Sequence, residues 1–309
     1  MTSTAVSALI DGARGGDPRQ VARLISRIED GGAQARESLQ ALAPYAGRAH
    51  VIGVTGAPGV GKSTTTSALI TALRSHGHRV AVLAVDPSSP FSGGALLGDR
   101  IRMQAHSGDD GVFIRSMASR GHLGGLAAAT PRVIRVLDAC DFDIVIIETV
   151  GVGQSEVEIA STADTCLVLL APGMGDGVQA AKAGILEIGD VFVVNKADRD
   201  GADATARELR HMIDLGSWAG WTPPVLKAVA AQGTGIDEVV DAISAHQAWL
   251  AESGQARQRR LRRIRDEIIA LVIGAARERL DIRRQELEAL SVDVLEGRTD
   301  PFEAAARLE

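Results

Sequence analysis

The chain has 309 residues, 45% of them apolar, which is enough to form one large α/β domain with smaller additions. Its net charge of −6 and its 3% of aromatic residues argue against nucleic acid and anionic membranes as partners. No apolar run approaches the roughly 20 residues that span a bilayer, and the first residues lack the layout of a signal peptide, so we expect a cytoplasmic protein.

Residues 1–48 are predicted to form an N-terminal helical extension. Val21, Leu24, Ile25 and Ile28 recur at the three- and four-residue spacing of one helix face. Glycine pairs interrupt this pattern and divide the stretch into short helices.

Residues 49–252 are predicted to form an α/β domain, because apolar runs alternate with helical segments. The runs are nearly continuous in Val, Ile and Leu, as in strands of a parallel sheet that is buried on both faces. Seven strands are expected, at residues 50–56, 79–86, 111–117, 142–149, 165–173, 190–198 and 224–231.

Residues 253–309 are predicted to be helical again, beginning with a long amphipathic helix. Its apolar stripe is too wide for an isolated solvated helix. The stripe consists of Leu261, Ile264, Ile268, Leu271 and Val272. Packing on the chain's own α/β domain and pairing with a second chain both account for it.

The segment VIGVTGAPGVGKSTT follows the first strand and opens a helix, and it fits the phosphate-loop pattern G-x-x-x-x-G-K-[ST]. Lys62 would reach the β- and γ-phosphates, and Ser63 would bind Mg²⁺. The nucleotide-binding residues predicted here are Gly56, Ala57, Pro58, Gly59, Val60, Gly61, Lys62, Ser63 and Thr64. The alternative is a chance match in a glycine-rich loop.

The tetrapeptide NKAD ends another apolar strand and is typical of a guanine reader. Asp198 would accept hydrogen bonds from guanine, Asn195 would support the loop, and the stem of Lys196 would cover the base. Adenine offers no matching pair of donors, so NKAD favours GTP over ATP. The alternative is a solvated turn.

A last base-binding loop is predicted at Val229, Ala230 and Ala231, with the Ala230 N–H directed at the base carbonyl. This loop lies in the segment VAAQGTGI. It would complete the guanine site beside NKAD.

Three carboxylates lie at or just beyond predicted strand ends, where ligands of such sheets bind. They are Asp86, Asp99 and Glu148, and Mg²⁺ prefers oxygen ligands of this kind. Glu148 is one methylene longer than Asp and could reach the metal, or a water bound to it, from a strand end set further back. Asp86 could instead be a turn residue before Pro87, and Asp99 a solvated loop charge.

The γ-phosphate side of the site is predicted to include Gly151, whose backbone N–H would face that phosphate. Asp86 is the residue that we expect to orient the attacking water or its metal. No residue stands out as a general base, so intrinsic hydrolysis is expected to be slow.

A resemblance to a known family rests on four segments, TGAPGVGKSTT, VDPSSPFSGGALLGDRIRM, ETVGVGQSE and NKAD. Together they resemble the MeaB/ArgK family, the GTPase chaperones of adenosylcobalamin-dependent methylmalonyl-CoA mutase. The resemblance covers roughly residues 10 to 300. It implies a P-loop G domain of the signal-recognition-particle/MinD class, with a mostly parallel sheet, N-terminal helices and a C-terminal helical dimerisation arm.

The resemblance also implies the ligands and partners of the chain. GTP, GDP and Mg²⁺ are the expected ligands, with Ser63, Asp86, Asp99 and Glu148 around the metal. A homodimer and an adenosylcobalamin-dependent acyl-CoA mutase, such as methylmalonyl-CoA mutase, are the expected partners. A cobalamin adenosyltransferase is a further candidate. The expected function is control of cofactor loading into the mutase.

Three switch segments follow from the resemblance, at residues 86–103, 148–160 and 174–190. The third would face the mutase through Gln179 and Lys182. We expect it to follow a strand that lies beside the strand ending at Glu148. One departure is that the last guanine loop usually contains Ser-Ala, whereas this chain has Val-Ala there.

Two other classes of protein remain as alternatives. A nickel-delivery GTPase would need clustered Cys and His ligands, whereas His76 and His78 are paired and His106 and His122 are scattered. A kinase or ATPase linked to amino-acid transport is the older label of the family, and NKAD argues against ATP.

Overall fold

The structure is a computed structural model, and it describes residues 4–86, 104–106, 108–118, 129–149, 155–173, 184, 186–218 and 220–308. The chain divides into two compact units, Met1–Arg260 and Leu261–Glu309. None of the helices in the described ranges combines the length and apolar character needed to cross a bilayer.

The described strands form one seven-stranded sheet in the order β3-β2-β4-β1-β5-β6-β7, and their pairings are parallel. The strands are β1 (His50–Gly56), β2 (Val80–Asp86), β3 (Val112–Ala118), β4 (Ile144–Thr149), β5 (Thr165–Leu170), β6 (Val191–Val194) and β7 (Val225–Lys227). Each lies within one of the seven apolar runs or extends a run by one residue, so the prediction of a parallel α/β fold is confirmed.

Helices cover both faces of this sheet. The helices of eight or more residues in the described chain are α1 (Thr4–Arg14), α2 (Pro18–Asp30), α3 (Gly32–Leu42), α4 (Lys62–Ser75), α5 (Thr130–Ala139), α6 (Ser155–Thr162), α7 (Ala202–Asp214), α8 (Ile236–Glu252), α9 (Gln255–Ile282), α10 (Arg284–Leu295) and α11 (Pro301–Leu308). Helices α4 and α8 supply one apolar core, whereas α1, α2, α3, α5, α6 and α7 supply the core of the opposite face. Successive residues of β1 alternate between the two cores, since Val51 lies in one and Ile52 in the other.

The N-terminal helices form as the sequence predicts. Val21, Leu24, Ile25 and Ile28 are buried on one face of α2. The Asp17 side chain accepts hydrogen bonds from the first N–H groups of that helix, which stabilises its start. These helices pack in the same core as the sheet and belong to the first compact unit. The domain limits at residues 48/49 and 252/253 stay predictions.

Strand β1 lies between β4 and β5. Val54 pairs with Glu148 of β4 on one side and with Leu167 of β5 on the other. The expectation that the strand before residues 174–190 lies beside β4 is therefore wrong, because β1 occupies the place between them. The carboxyl ends of β4, β1, β5 and β6 still lie at one edge of the sheet, since the strands are parallel.

The second unit contains the later part of α9 with α10 and α11. Arg283 donates to the carbonyl oxygens of Leu308 and Arg307, and it pairs with Glu286, so it fixes the end of α11. Leu290 of α10 is buried in this unit. Helices α10 and α11 therefore form a small packed body around few buried residues.

Candidate nucleotide site

The loop between β1 and α4 has the backbone that a phosphate cradle needs. Gly56 and Gly61 have φ angles of 141° and 99°, a region that favours glycine. A Cβ at Gly56 would lie 2.3 Å from the carbonyl oxygen of Leu169, and one at Gly61 would lie 2.4 Å from Asn195 Nδ2. Helix α4 begins at Lys62 without a side-chain cap, so its first N–H groups and positive dipole end favour an anion.

Lys62 lies within this loop. Its side chain is buried, and Nζ donates to the carbonyl oxygens of Gly56 at 2.7 Å and Ala57 at 3.2 Å. These bonds hold a positive charge inside the cradle formed by residues 56–64. A nucleotide phosphate would meet that charge together with the N–H groups of the loop.

Ser63 and Glu148 are brought together from two different elements. The Ser63 hydroxyl donates to Glu148 Oε1 at 2.5 Å, and both side chains are buried. Glu148 pairs with Val54 of β1, which lies two residues before the phosphate loop begins at Gly56. Its side chain is one methylene longer than that of Asp, and this extra length lets the carboxylate reach from the strand to Ser63.

A hydroxyl and a carboxylate beside a phosphate cradle fit Mg²⁺, which prefers hard oxygen ligands. The backbone of Asp86 ends β2 one residue beyond Val85, which pairs with Thr149 of β4. The side chain of Asp86, and all of Asp99 and Gly151, lie outside the described residues. Their roles at the metal and the γ-phosphate stay predictions.

Replacing Glu148 with Gln is expected to lower the affinity for Mg²⁺ and the rate of GTP hydrolysis, while GDP binding changes less. The amide keeps the size of the side chain but removes the negative charge that a divalent cation requires. Glu148→Asp is also expected to impair turnover, because the shorter side chain no longer spans the distance to Ser63. Titration of turnover with Mg²⁺ measures both effects. A fully active Asp variant would show that side-chain length is incidental.

Asn195 joins three loops at the carboxyl edge of the sheet. Its buried side chain donates from Nδ2 to the Val60 carbonyl oxygen at 2.8 Å and accepts from the Ala230 N–H at 3.1 Å. Lys196 donates to the Gly59 carbonyl oxygen at 2.6 Å and has an unusual left-handed backbone with φ 56°. NKAD and the last loop are therefore tied to the phosphate loop, as a shared nucleotide site requires.

The other residues predicted to contact the base belong to the same two segments, NKAD and the last loop. Asp198 is exposed just after Asn195 and Lys196. In the last loop, the Val229 N–H donates to the Thr234 carbonyl oxygen, and a short helical turn begins at Ala230. The Ala230 N–H, predicted to face the base carbonyl, donates instead to Asn195 Oδ1 in this structure. Binding of the base by Asp198, Ala230 and Ala231 stays a prediction.

The sequence predictions and the described structure do not coincide in two places. The proposed partner residues Gln179 and Lys182 lie outside the described residues. His106, which looks scattered in the sequence, lies 2.9 Å from Ser67 Oγ of α4 through its Nε2 atom. No sequence signal identifies that pair, because 39 positions separate the two residues and neither belongs to a motif.

The parallel sheet, the glycine loop at the start of α4 and the tethered NKAD segment define the class of P-loop guanine-nucleotide-binding proteins. Residues 21–284 match the family described as "Methylmalonyl Co-A mutase-associated GTPase MeaB", and the chain belongs to this family. The resemblance inferred from the four segments is confirmed, and the chain is a GTPase.

Similar proteins extend over most of the chain. A relative from Pyrococcus abyssi is 49% identical over 306 residues, which cover 97% of this chain and 94% of its own. GTPase ArgK of Escherichia coli is 41% identical over 226 residues, covering 71% of this chain and 68% of its own. The crystal structure of a protein named "LAO/AO transport system kinase" has a TM-score of 0.72 and 27% identity, and the match covers 100% of this chain and 98% of that one.

Proposed function

We propose that this GTPase uses Mg²⁺–GTP to control cofactor loading into an adenosylcobalamin-dependent acyl-CoA mutase, with methylmalonyl-CoA mutase as the candidate client. The observation that carries the proposal is the match of residues 21–284 to a family whose description names association with that mutase. A cytoplasmic location is part of the proposal.

On the nucleotide side, Lys62 would hold the β- and γ-phosphates, with Ser63 and Glu148 holding Mg²⁺. The bound metal would neutralise the negative charge of the phosphates. Two observations support this assignment, namely the position of Lys62 inside the loop and the 2.5 Å contact between Ser63 and Glu148. Asp86 would orient water or metal, and the Gly151 N–H would face the γ-phosphate.

On the partner side, a slow switch needs a partner that binds its GTP and GDP states unequally, since equal affinity for both states shifts nothing. We assign this contact to residues 174–190 and in particular to Gln179 and Lys182, whose three-residue spacing is one that would bring two side chains together if the stretch were helical. A mutase that completes the site would raise the rate of GTP turnover. By linkage, the affinity of the mutase must differ between the GTP-analogue and GDP states by the same factor by which the mutase changes the relative affinity for the two nucleotides.

A homodimer through the C-terminal arm is part of the proposal. The stripe residues Leu261, Ile264, Ile268, Leu271 and Val272 are between 40% and 62% exposed in the single chain. A stripe of this width is a face that a second copy could cover. A cobalamin adenosyltransferase is proposed as a further partner, because it would supply the cofactor whose loading is controlled.

The test is GTP turnover measured with and without an adenosylcobalamin-dependent mutase. The mutase is expected to raise turnover of the parent protein. The double variant Gln179→Ala/Lys182→Ala is expected to keep its intrinsic rate and to lose the stimulated rate, because only the partner contact is removed.

A matched control is Arg207→Ala/Gln247→Ala, which removes one cation and one amide from exposed positions of α7 and α8. This control should be stimulated like the parent. Full stimulation of the Gln179/Lys182 variant would exclude residues 174–190 as the coupling segment. A parent protein that no mutase stimulates would contradict the proposed function itself.

One alternative keeps a specific observation in its favour, since the solved protein with 27% identity to this chain is named a transport-system kinase. Nucleotide preference separates the two functions. A GTPase that serves the mutase should bind GTP and exclude ATP through NKAD, whereas a kinase or ATPase of amino-acid transport should accept ATP. Preference for ATP would favour the role in transport.

A further inference from the structure

Helix α4 carries a row of three polar side chains, each with a partner from another element. Ser63, Ser67 and Arg74 are four and seven positions apart, so with 3.6 residues per turn they lie on one side of the helix. Ser63 contacts Glu148, as described for the metal site. The two other contacts lead to the chain segment that enters β3.

The contact nearest the end of α4 is the ion pair of Arg74 with Asp109, which we call the anchor. Arg74 donates to both carboxylate oxygens of Asp109, each at 2.8 Å, and Asp109 also accepts from the Gly111 N–H at 2.8 Å. The hydrogen bonds from Arg74 lower the pKa of Asp109. A Cβ at Gly111 would lie 2.1 Å from Arg74 Cζ, so the guanidinium lies directly against that backbone. Residues 109–111 are therefore held on α4.

The upper contact is the hydrogen bond between Ser67 and His106. Ser67 Oγ lies 2.9 Å from His106 Nε2, one helical turn after Ser63. The Asp109 N–H donates to the His106 carbonyl oxygen at 3.2 Å, so His106 is joined to the anchor through the backbone. The imidazole is half-buried against the helix whose first turn carries Lys62 and Ser63.

We propose that His106 is a positioning residue for GTP hydrolysis. His106 holds the second turn of α4 in place through its hydrogen bond with Ser67. The orientation of the second turn in turn sets the orientation of the first turn, which carries Lys62 and Ser63. Glu148 contacts the first turn from β4, whereas His106 contacts the next turn from the segment that enters β3. The proposal rests on the assignment of Mg²⁺–GTP to the start of α4, and it does not require the mutase.

Replacing His106 with Ala is expected to lower kcat for GTP hydrolysis about five-fold, the rate equivalent of one neutral hydrogen bond. The Mg²⁺ concentration for half-maximal rate should rise, because the Ser63 hydroxyl then keeps its contact with Glu148 but loses the support from the second turn of α4. GDP affinity should stay within about two-fold, since the loop amides remain. His106→Gln, which can place an amide nitrogen near the position of Nε2, should restore most of the rate.

Ser67→Ala should reproduce the loss, and the double variant with His106→Ala should lose no more than either single variant, because both remove the same bond. His211→Ala, at an exposed position of α7, is the matched control and should match the parent. An unchanged kcat and Mg²⁺ dependence in His106→Ala would overturn the proposal. A parallel fall in GDP affinity and melting temperature, without rescue by Gln, would also overturn it and leave a purely structural role.

Lys62→Ala, measured in the same assay, distinguishes a failure of the His106 proposal from a failure of the nucleotide-site assignment. If Lys62→Ala abolishes hydrolysis while His106→Ala has no effect, the positioning role fails and the nucleotide site stands. If Lys62→Ala is fully active, the nucleotide site fails and the inference about His106 fails with it.

Discussion

Replacing Lys62 with Ala is expected to abolish measurable GTP hydrolysis, with a loss of at least about a hundred-fold, and to weaken GTP binding. The ammonium lies inside the phosphate loop, where it donates to the Gly56 and Ala57 carbonyl oxygens. Charge that develops during phosphoryl transfer is stabilised by groups already in place, so removing the lysine charge acts directly on the barrier. Phosphate release and calorimetric binding of GTP measure the two effects.

The control for Lys62 is Lys227→Ala, which removes an exposed lysine that pairs with Asp203 on the surface. This variant should hydrolyse GTP at the parent rate, because a surface ion pair contributes little. Thermal unfolding of both variants separates loss of function from loss of folding. Unchanged turnover in a folded Lys62→Ala protein would remove the assignment of the phosphate site.

Replacing Asp198 with Asn is expected to change base preference from guanine towards xanthine. The carboxylate can accept two hydrogen bonds from guanine, whereas the amide offers one acceptor and one donor that clashes with the guanine amine. The loss of GTP affinity should be about 2–4 kcal/mol, or roughly 30- to 1000-fold. Xanthine has a carbonyl at that position and should therefore gain affinity. Competition between GTP and XTP for the parent and the variant measures the change.

Asp200→Asn is the matched control, since it makes the same chemical change at an exposed position two residues later. It should keep the parent preference for GTP. If Asp198→Asn also keeps that preference, NKAD is not the base reader, and the tether from Asn195 to Val60 and Ala230 would then serve the loops alone.

The two predictions depend on motifs that the sequence specifies locally. In the phosphate loop, Gly56, Gly61, Lys62 and Ser63 lie in one strand–loop–helix unit, so spacing alone fixes their relation. NKAD is likewise one continuous turn after β6. The seven strands and the helices of the α/β domain were predictable for the same reason, because burial on both faces requires continuous apolar runs and a helix face requires its own spacing.

The pairing of distant residues was decided by the tertiary structure. Ser63 and Glu148 are 85 positions apart, and Asn195 and Val60 are 135 apart, so their contacts depend on which strands are neighbours. The strand order was not predictable from apolar runs, since every central strand has a similar composition. For this reason the expected neighbour of β4 was wrong, whereas the existence of the strands was right.

At the opposite edge of the sheet, a cluster of polar residues was likewise not predictable from the sequence. Arg259 donates to both carboxylate oxygens of Asp190 at 2.8 and 2.9 Å, and His246 Nε2 lies 3.3 Å from Asp190 Oδ1. Thr165 Oγ1 lies 2.8 Å from both His246 Nδ1 and His50 Nε2. Burial lowers the pKa of His246 to about 4, so it is neutral near pH 7. These residues belong to no motif, and only the folded chain brings them together.

The sequence by itself therefore determined the parallel α/β class, the phosphate loop and the guanine motif, because each is a pattern within a short stretch of chain. The tertiary structure alone decided the place of β1 between β4 and β5, the contact of Ser63 with Glu148 and the hydrogen bond of His106 with Ser67. The physical reason is that local spacing fixes which face a side chain occupies, whereas the path of the chain between elements fixes which side chain it meets.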